Sequence, residues 1–162
     1  MTTKPQGLDH SGAHGAEPTG SVVIFTDITK EALEPLAAAV KAQVMTEAMG
    51  ALVVFDGIVR NHDHGSAVRG LSYSAHPQAK EYIARVVQSV ADELEGVRLW
   101  VVHRVGPIAI GESALTVLAA AAHRGRAFEA CEAVADRVKA QVPIWKEQEL
   151  TDGSTEWVGI DT

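Results

Sequence analysis

The sequence comprises 162 residues, of which 46% are hydrophobic and 22% are charged, as is typical of one globular domain with its own core. The formal net charge of −7 argues against nucleic acid as the main partner, and no apolar run is long enough to cross a membrane. The single cysteine, Cys131, excludes an intramolecular disulfide and suits the reducing cytoplasm, where we expect the protein to act.

Residues 1–20 differ from the rest of the chain because they mix Gly, Pro, Thr, Ser and His with almost no apolar side chains. Such a segment has little to bury, so we expect residues 1–20 to form a disordered tail, and they show no signal-peptide pattern. Residues 21–162 contain no internal repeat and no linker, and we expect them to form one domain.

The N-terminal half of this domain predicts a strand, a helix and two further strands. Residues 21–28 are β-branched and apolar, which is typical of a strand, and Thr29 is placed to cap a helix that begins at Lys30. Residues 41–49 fit either an extension of this helix or a surface insertion. The next two strands are predicted at residues 50–60 and 68–76, with the turn-forming residues NHDHGS between them.

The C-terminal half predicts two helices and four strands. One helix runs from Pro77 to Gly96. The other covers residues 125–141, with Phe128, Cys131, Ala135 and Val138 on one face. The predicted strands cover residues 97–105, 113–122, 144–150 and 154–158, with turns at Gly106-Pro107 and Asp152-Gly153.

The order of these elements predicts the fold class. A strand, a helix and two strands are followed twice by a helix and two strands, so hairpins interrupt any regular alternation of strand and helix. This order favours an α+β fold over a doubly wound parallel sheet. We therefore expect a single domain with a mixed or antiparallel sheet and about three helices.

His123 and Arg124 lie between a strand and the start of the last predicted helix. Free backbone N–H groups and the helix dipole favour an anion at such a position, so the pair could form a phosphate-binding corner. The alternative is a surface arginine beside a hydrogen-bonded loop histidine, and the spacing alone does not decide between them.

Two lysines are further candidates. On a helical wheel Lys139 flanks the apolar face of its helix, so its ammonium either reaches water along the core surface or points into a pocket. In a pocket crowded by other cations, it would give up its proton more readily. Strand alternation places Lys146 and Ile144 on the face opposite Trp145, although a lone strand lysine is usually only solvated.

Cys131 and the His62-Asp63-His64 cluster carry less functional weight. Cys131 shares the apolar helix face, where a free cysteine behaves as a small hydrophobic side chain. The cluster lies in a predicted turn without a distant partner at ligand spacing, so we expect no metal site.

Four strings in the chain resemble one known family when they are taken together. They are GIVRNHD at 57–63, HRVG at 103–106, AAHRGRAFEAC at 121–131 and VKAQVPIWKEQE at 138–149. In this order they resemble the large, catalytic subunit of molybdopterin synthase, and the resemblance extends from about Ser21 to Val158. It implies an α/β hammerhead-like fold.

The resemblance also implies a reaction and its partners. In this family a small ubiquitin-like sulfur-carrier subunit bears a thiocarboxylate on its C-terminal Gly-Gly and inserts that tail into the large subunit. Two sulfurs pass in succession to cyclic pyranopterin monophosphate and form the dithiolene of molybdopterin. The large subunit is implied to be a homodimer within a heterotetramer, without a cofactor or a catalytic cysteine.

Site residues follow from the resemblance position by position. Lys139 and Lys146 match the two catalytic lysines, with Lys139 implied to carry the essential acid–base or covalent chemistry. The positions implied to bind substrate in the same pocket are Ile58, Val59, Arg60, His123, Arg124, Glu147 and Gln148.

The chain departs from the family pattern after Lys146. The family commonly has a base and then a glutamate where this chain has Glu147 and Gln148, which leaves the contribution of these two positions open. An alternative function is a non-catalytic relative that only binds the partner or the pterin phosphate, but retention of both lysines favours the enzyme.

Overall fold

The computed structural model describes residues 20–159, so the predicted tail at 1–20 lies outside it except for Gly20. Within this range the chain forms nine strands and three helices. In chain order they are β1 (Val22–Thr29), α1 (Leu33–Val44), β2 (Ala51–Ile58), β3 (His62–Asp63), β4 (Ser66–Ala75), α2 (Ala79–Glu93), β5 (Arg98–Arg104), β6 (Gly106–Ile108), β7 (Ser113–Ala121), α3 (Arg124–Gln141), β8 (Ile144–Leu150) and β9 (Thr155–Val158). None of the helices in this range is long and apolar enough to span a membrane.

The first sheet has four strands in the order β1-β5-β7-β2. The β1–β5 pair is parallel, whereas β5–β7 and β2–β7 are antiparallel. Every residue of β7 is buried, which explains why its sequence, SALTVLAAA, carries no charge. The sheet is therefore covered on both faces.

Successive residues of β5 alternate between two hydrophobic cores. Leu99 and Val101 face the larger core, which α2 and α3 cover, whereas Trp100 and Val102 face a smaller core with Leu33 of α1. This alternation follows from the two-residue period of a strand. The helices thus lie in separate layers on the two faces of the first sheet.

The second sheet has five strands in the order β3-β4-β8-β9, and β6 also pairs with β4. Its strand pairs are antiparallel. Only Val142 and Pro143 separate the end of α3 from β8. This short connection places the last turn of α3 beside the start of β8, where the two lysines lie.

The structure confirms the α+β fold with three helices and a mixed sheet, and it confirms the hairpin around Asp152-Gly153. The prediction that Thr29 caps a helix beginning at Lys30 is wrong. Thr29 continues β1 through its pairing with Arg104, and α1 begins at Leu33 after Ala32.

Two short strands were missed where turns were predicted, and one apolar side chain was wrongly assigned to the buried face of its helix. The NHDHGS segment contains β3 and a tight turn to β4, in which His64 and Gly65 have φ values of 46° and 82°. Gly106–Ile108 forms β6 on β4 and not only a turn. Phe128 is 58% exposed, because α3 instead buries small and β-branched residues such as Ala127, Ala130 and Val134.

Candidate active site

An open cleft with a volume of about 1070 Å³ lies where the end of α3, one face of β8 and the segment after β2 meet. Six of the residues predicted for the site line this cleft. They are Ile58, Val59, Arg60, Lys139, Lys146 and Gln148. Val59 is buried and Ile58 is half exposed, so the two form part of an apolar wall beside charged groups.

Alternation along β8 determines which of its side chains enter the cleft. Ile144, Lys146 and Gln148 line it, whereas Glu147 does not. The face with Lys146 was predicted correctly, and the Lys146 side chain is 23% exposed. Glu147 lies on the opposite face of the strand with Trp145, so the structure does not place it with the other predicted site residues.

Lys139 lies in the last turn of α3, where the helix dipole favours a cation. Its side chain is exposed, and Ala135 and Val138 of the same helix line the cleft with it. Within residues 20–159, Lys139 has no hydrogen-bond or ion-pair partner. The amine is thus held on a rigid helix but is free to meet a ligand in the cleft.

Asp63 is a buried carboxylate at the base of the cleft, 7% exposed. Its Oδ2 accepts hydrogen bonds from Lys146 Nζ at 2.8 Å and from Gln148 Nε2 at 2.7 Å. Arg60 donates to its Oδ1 at 3.4 Å. Burial alone would raise the pKa of Asp63, but the bonds from Lys146 and Gln148 outweigh burial and hold that pKa well below its usual range.

His103 and Tyr73 form a second polar pair that lines the cleft. Their rings meet edge to face with centroids 4.9 Å apart, and His103 Nδ1 lies 2.7 Å from the carbonyl oxygen of Arg104. Burial lowers the pKa of His103 to about 4, so the imidazole is neutral near pH 7 and donates Nδ1–H to that carbonyl.

The predicted phosphate corner lies at the opposite end of α3 from the cleft. The helix begins at Arg124, one residue before the predicted start, and the side chains of His123 and Arg124 are exposed beside Gly50, whose N–H donates to Ala122 O at 3.1 Å. Lys139 lies fifteen positions after Arg124 on α3, or about 22 Å along the helix axis. A single chain therefore does not bring His123 and Arg124 together with the lysines.

Comparison with models of protein families shows which family the chain belongs to. The model described as "MoaE protein" matches residues 28–141, well over half of the sequence. The chain belongs to the MoaE family.

Sequence relatives are similar over most of their length. A "Molybdopterin synthase catalytic subunit 1" of Mycobacterium tuberculosis is 38% identical over 121 residues, which cover 74% of this chain and 82% of the relative. A "Molybdopterin synthase catalytic subunit" of Pyrococcus abyssi is 36% identical over 74% of this chain and 81% of the relative.

Solved structures carry the same fold. The crystal structure of molybdopterin synthase from Staphylococcus aureus superposes with a TM-score of 0.74 at 31% identity, covering 82% of this chain and 95% of that chain. A complex of subunits 1 and 2 of molybdopterin-converting factor from Helicobacter pylori gives 0.65 at 26% identity, covering 83% and 88%. These matches confirm the family that the sequence resembled, that of an enzyme of molybdenum cofactor biosynthesis.

In this MoaE family member, the one cysteine has the surroundings of a core residue. Cys131 is 4% exposed within the larger hydrophobic core, and burial raises the pKa of its thiol to about 11. A nucleophilic thiolate is strongly disfavoured there. Among residues 20–159, no three His, Cys, Asp or Glu side chains are grouped so that they could hold a metal ion.

Sequence reasoning missed the buried polar residues beneath the cleft of this MoaE protein. It treated Asp63 only as one of three neighbouring metal candidates and did not consider His103 or Tyr73. The turn at His64-Gly65 indicates a short hairpin that pairs Asp63 with β4, but it does not indicate which side chains the carboxylate contacts. The pairing of Asp63 with Lys146, 83 residues away, had no sequence signal.

Proposed function

We propose that this chain is the catalytic subunit of a molybdopterin synthase that acts in the cytoplasm. It transfers sulfur from the C-terminal Gly-Gly thiocarboxylate of a small ubiquitin-like partner to cyclic pyranopterin monophosphate, and two transfers form the molybdopterin dithiolene. The observation that carries this proposal is the cleft of a MoaE fold in which Lys139 and Lys146 lie together with Arg60. We further propose that residues 21–162 act as one domain.

The cleft provides positive charges that can bind anions and an amine that can donate a proton. Both the thiocarboxylate tail and the phosphate of the precursor are anions, and Arg60 and Lys146 present charged donors to them. As the thiocarboxylate sulfur bonds to a precursor carbon, an oxygen leaves that carbon as water, which requires a proton donor; a second water then hydrolyses the acyl–sulfur bond, so that the carrier departs with an ordinary carboxylate and the proton is returned. Lys139, without a competing partner in the described chain, fits that role.

A non-catalytic relative that only binds the partner is the alternative. It would need an anion-binding groove, but it would have no use for a free amine on a rigid helix end. The presence of Lys139 and Lys146 on two sides of one cleft supports the enzyme. The discriminating measurement is product formation, since binding alone is common to both.

The separation of the phosphate corner from the cleft supports a composite site. His123 and Arg124 of one subunit lie too far from the lysines of the same chain, so we propose that a second copy supplies them across a homodimer interface. Each active site would then use the cleft of one subunit and the start of α3 of its partner. One small sulfur carrier would bind per subunit in the resulting heterotetramer.

Reconstitution tests the proposed function directly. Purified chain is mixed with a thiocarboxylated small subunit and cyclic pyranopterin monophosphate, and molybdopterin is measured through its fluorescent oxidation product. Product is expected only with the thiocarboxylated partner, and a partner with an ordinary C-terminal carboxylate is the matched control. A chain that binds both partners and yields no molybdopterin would be a binding subunit.

A further inference from the structure

The two cleft lysines have opposite electrostatic surroundings. Lys146 Nζ donates to Asp63 Oδ2 at 2.8 Å, and its side chain is only 23% exposed. Lys139 is exposed and has no such partner in the described chain. A lysine held against a buried carboxylate keeps its proton and its position, whereas a free one can exchange its proton with a ligand.

Asp63 itself is held so that it remains an anion. Oδ2 accepts from both Lys146 and Gln148, and Oδ1 faces Arg60 Nη2 at 3.4 Å and His64 Nε2 at 3.6 Å. An ionised carboxylate with little exposure to water needs partners of this kind, since an unpaired buried charge is strongly unfavourable. The donors surround both oxygen atoms, so the carboxylate has a defined orientation.

We propose that Asp63 is the positioning residue of the cleft: it fixes Lys146 as a charged anion-binding donor and leaves Lys139 as the lysine that moves protons. Lys146 has three N–H bonds, and one is donated to Asp63, so two are available to an anionic oxygen or sulfur of the substrate or the partner tail. This assignment of roles rests on the proposed sulfur transfer, whereas the pairing of Asp63 with Lys146 can be tested without it.

Gln148 allows a sharp test because its amide contacts the same carboxylate oxygen that binds Lys146. Asp63→Asn removes the negative charge with little change in shape. Asp63→Asn combined with Gln148→Glu returns a carboxylate to the same location from β8. Glu149→Gln is the matched control. Glu149 follows Gln148 in the chain, pairs with Arg69 and does not line the cleft, so this variant removes a nearby carboxylate that does not contact Lys146.

The first measurement is trace acetylation of each variant of the full chain with acetic anhydride, followed by mass spectrometry of the lysine peptides. Lys146 is 23% exposed and its ammonium donates to Asp63, whereas Lys139 is exposed without such a partner in the described chain, so Lys139 should react faster than Lys146, and loss of the bond in Asp63→Asn should raise the Lys146 rate. The double variant should slow Lys146 again, and Glu149→Gln should change neither lysine. An unchanged Lys146 rate in Asp63→Asn overturns the proposal.

The second measurement is turnover with the thiocarboxylated partner and saturating precursor. Asp63→Asn should lower kcat about tenfold or more without a matching change in partner affinity, and the double variant should recover most of it. If Asp63 were merely structural, Asp63→Asn would lower the melting temperature and leave kcat of the folded protein intact. That result also overturns the proposal. If Asp63→Asn does not fold, the acetylation rates of the double variant test the proposal instead. In that variant, a Lys146 that reacts as fast as Lys139 would count against the proposal.

Failure of the proposed function looks different from failure of this inference. If the unaltered protein makes no molybdopterin, sulfur transfer is refuted, and the acetylation rates still decide whether Asp63 holds Lys146.

Discussion

At the scale of single residues, the roles we propose for proton transfer and anion binding fall on different side chains of the cleft. Lys139 extends from the last turn of α3 without a partner in the described chain, and Lys146 is bound to Asp63 from β8. A mobile proton donor and a fixed positive charge have incompatible requirements, because the carboxylate that fixes a lysine also retains its proton. Two lysines on different elements meet both requirements.

Substitution of Lys139 tests its part in this division. Lys139→Ala should lower product formation by about 10²- to 10⁴-fold while the fold and partner binding persist, because general acid–base catalysis is worth about that much. Lys139→Arg should bind the precursor but form little product, since arginine keeps its charge and does not readily release a proton. Turnover is measured by molybdopterin fluorescence, with Lys41→Ala, at an exposed position of α1, as the control. Wild-type turnover in Lys139→Arg would leave Lys139 as an anion clamp only.

Cys131→Ser tests whether the thiol takes part in sulfur transfer. Cys131 is buried in the larger core and its thiol stays protonated near pH 7, so activity should remain close to wild type. The hydroxyl is poorly accommodated among apolar side chains, and we expect a loss of about 1–2 kcal/mol in the free energy of unfolding. Denaturant titration and turnover are measured on the same sample. Loss of activity at native stability would indicate a thiol mechanism instead.

At the scale of elements, α3 carries the two parts of the proposed site at its opposite ends, which one chain does not bring together. Its first residue, Arg124, lies at the predicted phosphate corner, and Lys139 in its last turn lines the cleft. The helix is a rigid spacer, so the distance between the two sites is fixed by its length.

Mixed dimers test whether the two ends of α3 meet across an interface. Arg124→Ala alone should weaken precursor binding about 10- to 150-fold, the effect of losing a charge-assisted phosphate contact. Refolded together, Arg124→Ala and Lys139→Ala chains should recover about a quarter of wild-type activity, since half of the chains pair as heterodimers with one intact site. Sites confined to one chain would give no recovery. Separately folded and then mixed homodimers, before exchange, are the control.

Regular elements could be predicted from the sequence, whereas irregular ones could not. The strand at 113–121 is a continuous run without charge and the helix at 124–141 has a helical apolar pattern, and local reasoning detects both. The strands at 62–63 and 106–108 are two and three residues long, and only their pairing with β4 makes them strands. Phe128 was misplaced because an apolar residue on a plausible helix face was assigned to the core, while smaller residues pack there.

The same limit applies to the site. Periodicity placed Lys139 beside the apolar helix face and Lys146 opposite Trp145, but it left a merely solvated role open for both, and only the family resemblance selected them. Asp63 could not be selected, because its importance comes from contacts with Lys146 and Gln148 that span 83 and 85 residues. A position within a hairpin turn reveals little about such distant contacts.

At the scale of the whole molecule, stability should depend on pH through buried His103. Its pKa is lowered from 6.5 to about 4, so the unfolded chain binds a proton in this range before the folded chain does. Stability is therefore lost as pH falls below about 6.5, by about 2 kcal/mol between about pH 7 and pH 5. The pKa of Asp63 is lowered from 3.8, so Asp63 contributes a pH dependence only below that interval.

Denaturant unfolding at the two pH values measures this dependence. His103→Asn retains a donor near the position of Nδ1 but does not titrate, so the difference between about pH 7 and pH 5 should largely disappear in that variant. Equal pH dependence in both proteins would assign the effect to other groups.

The edge of the second sheet is where we expect this chain to associate with other subunits. β9 lies at the edge of the second sheet and Trp157 is 61% exposed, so an apolar edge is open to a partner. We expect a homodimer at micromolar concentration by light scattering, and one bound small subunit per chain. Trp157→Ser should weaken either the homodimer or the binding of the small subunit. Tyr82→Ser, at an exposed position of α2, is the control. A monomer with and without the small subunit would contradict the composite site.

The contact of Asp63 and Gln148 on one oxygen atom also has an evolutionary consequence. A lineage that moved the carboxylate from position 63 to position 148 in single steps would pass through one of two states. Either two carboxylates would meet at 2.7 Å, or Lys146 would lose its counter-ion. Both states are unfavourable, so a substitution at one position is better tolerated when the other position has changed as well. Positions 63 and 148 should consequently covary among homologues, and a substitution scored at either position alone will be misjudged.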